Sequence, residues 1–552
     1  MVTKTVKPSY MQKLEWGKTW SRIPLKECYK PEDIAGSDYT RIGDPGEYPY
    51  TRGIYRDMYR GRIWTIREIS GRCTPTETNK QFKSLFERGE TGINVIPDLP
   101  YQLGLDDDHP FSAGDVGVQG VPANSLDDAE KMMAGIDQRD VSITFSTIWP
   151  IMQAQYTALA QKRGVDIAEL RGTSLNDVLH SIGVGQVPLS PPLDMGFKLA
   201  VDALEYAVRY MPRWYPMCPD AYDLREHGIS AAQEIGFIFE LAMAYIDEVL
   251  KRGLDIDQVA PKVSFTMSAH LDIFEEVAKF RAARRIWANL MKEKYNAKDA
   301  KSLKFKYHCN TAGTGTFRPQ PLNNLMRITI MALSAVLSGC QSLQCVRFDE
   351  PINLPTDMSD RLAVRTQQII LHESGVANVA DPLGGSYYIE SLTDKLEEDI
   401  RKIMAEIEEQ GGGYKIVENG WLLDELHKAA YIYQHEIETG ERIVVGQNAF
   451  QISPEEEEKE ELTGMSVYQV NAEAVEEHLR NLAELKETRD QSSLRKAVDN
   501  LRRVAENHEV NVFPAIIEAC HAYVTHGEID GILREAWGYG YDPYRIIKNP
   551  FK

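Results

Sequence analysis

The 552-residue chain lacks the sequence features of several protein classes. Its longest apolar stretch, residues 235–250, is interrupted by Glu240, Asp247 and Glu248, which predicts a buried amphipathic helix and no membrane span. The seven cysteines include no CxxC pair, and the first residues show no signal peptide, so we expect a cytoplasmic protein. P-loop, zinc-protease, nucleophile-elbow and dinucleotide-binding motifs are also missing, and no metal-ligand set is predicted.

Positive charge is scarce, since 62 Lys and Arg face 82 Asp and Glu, a net charge of −20. This balance argues against nucleic acid or an anionic membrane as a partner. One stretch departs from it, residues 50–72, which carry six arginines: Arg52, Arg56, Arg60, Arg62, Arg67 and Arg72. Guanidinium forks suit phosphate, and Tyr55, Tyr59 and Trp64 offer rings for stacking, so a nucleotide or a CoA tail would fit. A subunit interface rich in Arg ion pairs is the alternative.

Between residues 61 and 350, short β-branched or aromatic runs alternate with longer segments of helical period. The eight runs are Arg62–Ser70, Ile93–Asp98, Val141–Ser146, Glu169–Ser174, Trp214–Asp220, Ala260–Ser268, Lys304–Thr311 and Ser342–Phe348. Eight βα units predict an α/β fold, a (β/α)8 TIM barrel with active-site residues at the C-terminal ends of the strands. We expect an N-terminal arm (1–42), the barrel (43–400), a helical linker region (401–462) with the acidic run at 455–461, and a C-terminal helical segment (463–552) that caps the barrel or binds a partner.

A few residues have the position or chemistry of site residues. His308 ends the seventh run, and Asp220 and Asp223 follow the fifth, although a structural histidine and helix-capping aspartates would look the same. The glycines of residues 313–316 are expected to form a turn. Residues 106–109 (DDDH) could imitate a metal site, but we expect them to be solvated.

Several segments in one order resemble the large catalytic chain of the methylmalonyl-CoA mutase family, the adenosylcobalamin-dependent acyl-CoA mutases. The resemblance runs from about Gly43 to about Asn448. Among the segments that carry it are YPYTRGIYRDMY, RIWTIREISG, TNKQFKSLFERGETGINV, GTSLNDVL, APKVSF, RTQQIILHESGVANVADPLGGSYYIE and IVVGQNAF.

The resemblance implies that a CoA tail threads the barrel axis and that the thioester group migrates by radical chemistry. The implied CoA or substrate contacts are Tyr55, Met58, Arg62, Thr65, Arg67, Asn94, Thr173, Leu175, Gly185, Lys262, Ser264, Lys301 and Gln341. The implied catalytic positions are His308, beside the thioester oxygen, and Asp223, Ile69 and Asn310. Small hydroxyl residues such as Thr65, Thr173 and Ser264 would leave room for pantetheine where an ordinary barrel packs Val and Leu.

The family's cobalamin-binding half carries the motif DxHxxG, and nothing in this chain matches it. We therefore expect adenosylcobalamin to be bound mainly by a separate small subunit at the barrel mouth, in a heterodimer or heterotetramer.

The substrate end departs from methylmalonyl-CoA mutase. Ile69 stands at the family's tyrosine, Gly185 at the arginine that pairs with a free carboxylate, and Asp223 at a histidine. Other family positions are occupied by Pro97, Leu175, Tyr215 and Asn310. Without the arginine fork a buried carboxylate loses its best partner, so methylmalonyl-CoA is not the expected substrate unless Arg225 or another base reaches in.

The departures indicate a bulkier acyl group, and an aryl-substituted succinyl-CoA is the favoured hypothesis. A 2-hydroxyisobutyryl-CoA or another branched acyl-CoA is the alternative, because Ile69 is shared with the 2-hydroxyisobutyryl mutases. A barrel that has lost catalysis and serves as a scaffold for a related mutase is the hypothesis from a different class.

Overall fold

The computed structural model describes residues 18–35, 39–187, 189–453, 455–456 and 468–552. The strands are β1 (Thr65–Ile66), β2 (Ile69–Ser70), β3 (Ile93–Val95), β4 (Ser142–Phe145), β5 (Arg171–Ser174), β6 (Trp214–Tyr215), β7 (Phe265–Ala269), β8 (Tyr307–Thr311) and β9 (Ser342–Gln344). The α-helices are α1 (Tyr39–Ile42), α2 (Pro75–Arg88), α3 (Leu99–Gln102), α4 (Leu126–Met132), α5 (Ile151–Lys162), α6 (Val178–Gly183), α7 (Leu193–Tyr210), α8 (Tyr222–Glu226), α9 (Ala231–Lys251), α10 (Ile256–Val259), α11 (Ile273–Asn289), α12 (Asn323–Ser338), α13 (Asp357–Glu373), α14 (Tyr387–Glu409), α15 (Gly413–Glu418), α16 (Trp421–Thr439), α17 (Ala472–Thr488), α18 (Gln491–Ala505), α19 (Phe513–His521) and α20 (His526–Ala536).

The strands form a closed parallel ring. One sheet has the order β2-β3-β4-β5-β6 and the other the order β1-β9-β8-β7. On one side the sheets are joined because β1 and β2 belong to the same run, and on the other side parallel bridges pair Met217 with Val263 and Asp220 with Thr266. The Ser264 N–H also donates to the Met217 carbonyl at 3.1 Å. Each of the eight predicted runs contains a strand, so the predicted TIM barrel is confirmed.

The first run differs from the prediction because it is split in two. Thr65 and Ile66 pair with β9, whereas Ile69 and Ser70 pair with β3. Between them the Glu68 N–H donates to the carboxylate of Glu90 instead of to a neighbouring strand. The run therefore changes its pairing partner at this point of the ring.

The inner wall of the barrel is polar and its outer wall is apolar. The register places Thr65, Ser342, His308 and Thr266 in one row, and Ile69, Asn94, Thr144, Thr173 and Tyr215 in another. Along β4, Ser142 and Thr144 line the barrel cavity, so Ile143 and Phe145 point outward and are buried beneath the surrounding helices. The hydrophobic core therefore lies between the strands and the helices.

Local sequence determines where the barrel helices begin and end. The predicted buried helix is α9, whose first turn is closed by a capping box between Ser230 and Gln233. α2 begins after Thr74, which accepts the Glu77 N–H, and ends at Gly89 with φ of 104°. Among the described residues, no helix combines the length and the apolar character that crossing a bilayer requires.

The C-terminal segment packs on one side of the barrel. The helices α18 to α20 share a hydrophobic core with α5 and α7, to which Leu501, Phe513 and Ile516 contribute. The predicted boundaries at residues 42, 400 and 462 stay a prediction. Of the acidic run at 455–461, residues 455 and 456 are described and exposed, and the remainder lies outside the described residues.

The residues 106–109 hold this segment in place, and the prediction that they are solvated is wrong for Asp106, Asp107 and His109, which are buried. The contacts join Asp106 to the Gly527 N–H (2.7 Å), Asp107 to His478 (2.7 Å), Asp108 to Lys486 (2.8 Å) and His109 to Asp542 (3.4 Å). Burial of carboxylates is tolerated here because each finds a donor.

Candidate active site

A cavity of about 780 Å³ enters the barrel from the N-terminal end of the strands. Its wall includes eleven of the predicted site residues: Tyr55, Met58, Arg62, Thr65, Arg67, Thr173, Lys262, Ser264, Lys301, His308 and Gln341. An ordinary TIM barrel fills this space with branched apolar side chains. The open, hydroxyl-lined lumen therefore gives a long, thin ligand a path along the axis.

The mouth of the cavity is cationic. The lining cations are Arg62, Arg171, Arg213, Lys262, Lys301 and Lys306. Burial and then charge repulsion from Lys306 lower the pKa of Lys262 to about 8, and burial and then Lys301 lower that of Lys306 to about 8. A bound polyanion would relieve this repulsion. Sequence reasoning missed three of these cations, although Arg171 and Lys306 lie near the start of predicted runs and Arg213 immediately precedes one.

The arginine-rich segment 50–72 does not act as one surface. Arg62 and Arg67 line the cavity, whereas Arg52 pairs with Asp381 at 3.0 Å. Arg72 pairs with Asp357 at 3.4 Å, outside the barrel. The expectation that Trp64 stacks on a ligand ring is wrong, because its side chain is buried and its indole N–H donates to Gln367.

Arg67 lies across the middle of the lumen. Its guanidinium donates to the Ile93 carbonyl, to Thr144 Oγ1 at 2.6 Å and to Ser142 Oγ at 2.9 Å. All three partners are neutral, and burial lowers the pKa of Arg67 to about 10, which keeps it charged near neutral pH. Arg67 is thus a fixed positive charge against which a carbonyl oxygen of a threaded ligand could rest.

His308 faces the same part of the lumen. Its Nδ1 lies 2.9 Å from Ser342 Oγ, and its Nε2 is buried without a hydrogen-bond partner among the described residues. Burial, and then the charge of Arg67, lower the pKa of His308 to about 3. The ring is therefore neutral near pH 7, and Nε2 is free to donate to a ligand when Nδ1 accepts from Ser342.

The C-terminal end of the lumen has both polar and apolar residues. Ile69 and Asn94 lie in one register row, and Asn94 accepts a hydrogen bond from Ser146 at 2.7 Å. Asn310 pairs in register with Gln344, and each has a buried side-chain oxygen without a partner in the described part of the chain. Leu175, beyond the end of β5, is buried. The structure thus separates these residues from the cationic mouth.

Asp223 lies outside the cavity wall, in a cluster that sequence reasoning did not find. His180 Nε2 is 3.2 Å from Asp223 and His180 Nδ1 is 3.4 Å from Asp177. Potential ligand atoms of His180, Asp220 and Asp223 all lie within 4.8 Å of one another. The DxxH pattern of residues 177–180 was the sequence signal from which this cluster could have been predicted.

Neither Arg225 nor the loop at Gly185 supplies the substrate end with a cation in place of the family arginine. Gly185 lies in an exposed loop with φ of 72°. Arg225 is buried between Glu234 at 3.6 Å and Glu276 at 3.5 Å, so it does not reach into the lumen. Residues 313–316 form the predicted turn, and the N–H groups of Gly313 and Thr314 donate to Glu226.

Comparison with known proteins identifies the family. A sequence model described as methylmalonyl-CoA mutase matches residues 18–539. The chain belongs to the methylmalonyl-CoA mutase family. This assignment confirms the resemblance seen in the sequence and makes the chain a mutase, a class of isomerase.

Relatives named for two different activities resemble this mutase chain. The 2-hydroxyisobutanoyl-CoA mutase large subunit of Aquincola tertiaricarbonis is 38% identical over 519 residues, covering 94% of this chain and 91% of the relative. Methylmalonyl-CoA mutase of Rhizobium meliloti is 34% identical over 520 residues, covering 94% and 72%. The mitochondrial methylmalonyl-CoA mutase of Homo sapiens is 34% identical over 511 residues, covering 92% and 67%.

Proposed function

We propose that the chain is the large, catalytic subunit of an adenosylcobalamin-dependent acyl-CoA mutase that acts on an acyl-CoA other than methylmalonyl-CoA. The observation that carries the proposal is the polar lumen, with a cationic mouth at one end and hydroxyl groups, His308 and the Arg67 guanidinium further in. Such a lumen matches a CoA thioester, whose phosphates are anionic and whose pantetheine arm is long and polar.

Each part of the lumen then has a role. Arg62, Lys262 and Lys306 bind the CoA phosphates, and the threonines and serines of the wall contact pantetheine. Neutral His308 donates to the thioester carbonyl, and Arg67 stabilises negative charge on the same oxygen. The barrel wall keeps water away from the reacting carbons.

Adenosylcobalamin supplies the radical chemistry when it is bound. The C-terminal end of the lumen fits a group that enters from that side, because Asn310 and Gln344 keep buried acceptors without partners among the described residues. These two residues and Ile69 would contact the cofactor or the acyl group. A separate small subunit carries most of the cofactor, as the absence of DxHxxG and the name of the large-subunit relative support. The large and small subunits would then form a heterodimer or a heterotetramer.

The charges near the substrate end indicate which acyl group the site accepts. Arg225 is engaged by Glu234 and Glu276, and Gly185 supplies no cation, so a free carboxylate would be buried without a partner. This argues against methylmalonyl-CoA and also against the aryl-substituted succinyl-CoA favoured from sequence, which carries the same free carboxylate. A branched or hydroxylated acyl group without a carboxylate fits better, and the 38% identical relative is named for such a substrate.

Turnover by the reconstituted complex tests the proposal. The chain is mixed with the small cobalamin-binding subunit, adenosylcobalamin and a panel of acyl-CoA thioesters, and isomerisation is followed by mass-resolved chromatography. We expect a branched or hydroxylated acyl-CoA to react and methylmalonyl-CoA to remain unchanged. A best rate with methylmalonyl-CoA would show that another cation binds the carboxylate.

A matched pair of variants locates the reaction in the lumen. Thr266→Leu fills the lumen with an apolar side chain and is expected to abolish acyl-CoA binding and turnover. Thr329→Leu, an exposed position of α12, is the control and should retain both. Acyl-CoA binding without turnover of any thioester in the complete complex would favour the scaffold hypothesis.

A further inference from the structure

A cluster of four titratable side chains occupies the C-terminal end of the ring between β5 and β6. Asp220 is in register with Thr266, which lines the cavity, so Asp220 faces the lumen above it. Asp177 follows β5 and accepts the Asp220 N–H at 2.9 Å. Asp223 and His180 come from α8 and α6 and complete the cluster.

The cluster is held firmly in the structure. Asp177 also accepts the Tyr245 hydroxyl at 2.8 Å and the His180 N–H at 3.3 Å. His180 is buried between two aspartates, and their hydrogen bonds raise its pKa well above the ordinary value although burial opposes this. Burial, and then the charge of Asp223, raise the pKa of Asp220 to about 8. The cluster therefore sets one histidine against three aspartates.

Asp223 differs from the other members of the cluster because it is partly open. Its side chain is 30% exposed, whereas those of His180 and Asp177 are almost completely buried. One oxygen, Oδ2, faces His180 Nε2 at 3.2 Å. The open side of the carboxylate is an acceptor with its orientation already fixed by His180.

We propose that Asp223 accepts a hydrogen bond from a hydroxyl group on the acyl chain of the substrate, with His180 as the residue that positions it. The inference rests on the proposed function, since it requires an acyl-CoA in the lumen. With three aspartates around one histidine, the cluster stays negative even when His180 is protonated. It therefore accepts a hydroxyl donor and repels an acyl group that carries a carboxylate.

The neighbouring cations do not change this charge balance. Arg225, on the same helix as Asp223, faces Glu234 and Glu276. Arg347, whose guanidinium reaches the Ile69 carbonyl, pairs with Asp360 at 2.8 Å. The other acidic group of α8, Glu226, accepts backbone N–H groups of Gly313 and Thr314.

Calorimetric binding to the full chain tests the inference. The probes are 2-hydroxyisobutanoyl-CoA, isobutanoyl-CoA, methylmalonyl-CoA and CoA itself. We expect the hydroxylated thioester to bind about tenfold or more tightly than isobutanoyl-CoA, the range of a hydrogen bond to a charged acceptor, and methylmalonyl-CoA to bind most weakly of the three thioesters. If no probe binds, the proposed function fails together with the inference. If all thioesters bind equally well, the inference alone is overturned.

Variants assign the preference to the cluster. Asp223→Ala should remove the advantage of the hydroxylated thioester and leave the affinity for isobutanoyl-CoA unchanged. His180→Gln should reduce the same ratio, whereas a purely structural role would weaken all probes alike. Asp424→Ala, at an exposed carboxylate of α16, is the control. A preference that survives in Asp223→Ala, or that a chelator removes, would overturn the assignment, the second because it would place a metal ion in the cluster.

Discussion

At the scale of single residues, two lysines at the cavity mouth are partly buried, and burial lowers their pKa values. Lys262 and Lys306 lie partly buried beside each other, and Lys262 donates to the Pro212 carbonyl. Because their pKa values are lowered to about 8, both ammonium groups lose their protons within one unit of physiological pH. The lysines proposed to bind phosphate therefore lose their charge in mild alkali.

CoA binding is expected to weaken between pH 7 and pH 9.5. The affinity should fall several-fold, because neutral Lys262 and Lys306 no longer attract phosphate, and binding near pH 8 should take up protons. Calorimetry in buffers of different ionisation enthalpy measures both effects. The double variant K262R/K306R keeps its charge in this range and should show a nearly flat profile. Equal profiles for the two proteins would contradict the assignment.

The sequence and its family resemblance predict part of the site. His308 was placed at the thioester by resemblance, and the structure adds that it is neutral because burial and Arg67 lower its pKa to about 3. Trp64 and His180 show what could not be predicted from the sequence. The first is buried in the core and the second joins Asp223 across two helices, and neither burial nor that distance follows from chain position.

At the scale of elements, the strands carry a pattern that identifies the polar lumen. Parallel strands buried on both faces usually consist of continuous apolar runs. In β4 the sequence Ser142, Ile143, Thr144, Phe145 alternates instead, with the hydroxyl residues facing the cavity. The alternation predicts one polar face, and the closed ring makes that face the inner one.

The contact between the 106–109 loop and α17 depends on a buried ion pair. His478 lies 2.7 Å from Asp107, and hydrogen bonding to Asp107 and the charge of Asp128 raise its pKa to about 9, although burial opposes this. A group whose pKa is raised on folding stabilises the fold fully below its unfolded pKa, here 6.5. That stabilisation is lost as the pH rises towards 9. The raised pKa of Asp128, about 6, acts in the same direction between pH 4 and 6.

Replacing the histidine should loosen the C-terminal segment. His478→Ala leaves Asp107 buried without its cation, and we expect the free energy of unfolding to fall by about 3 kcal/mol at pH 6. The loss should diminish by pH 9, where wild-type His478 is half deprotonated. Hydrogen exchange of α17 measures the local effect, and His427→Ala, at an exposed histidine of α16, is the control. A loss that does not depend on pH would contradict the ion-pair explanation.

At the scale of the whole molecule, barrel and C-terminal helices behave as one body. Ile516 of α19 and Leu159 of α5 belong to one buried cluster, and Asp106 bonds the Gly527 N–H from the barrel side. Removing either surface from contact would expose apolar area to water. The helices that the sequence assigns to a separate segment therefore contribute to the stability of the barrel.

The shared core predicts a single thermal transition. Ile516→Asp places a charge in this core and should lower the unfolding temperature of the entire chain by about 5 °C. Val510→Asp, at an exposed position, is the control and should change it little. Scanning calorimetry measures the unfolding temperatures of both variants. A separate low-temperature peak in the wild type would mean that the C-terminal helices unfold independently.

The sequence alone predicts the family, the eight βα units and eleven residues of the cavity wall, because strand periodicity and ordered motifs are local properties of the chain. Only the tertiary structure decided which charges are free. Arg52 and Arg225 are paired, Arg62 and Arg67 face the lumen, and His180 meets Asp223. The physical reason is that pairing and burial depend on residues hundreds of positions apart that the closed ring brings within hydrogen-bond distance.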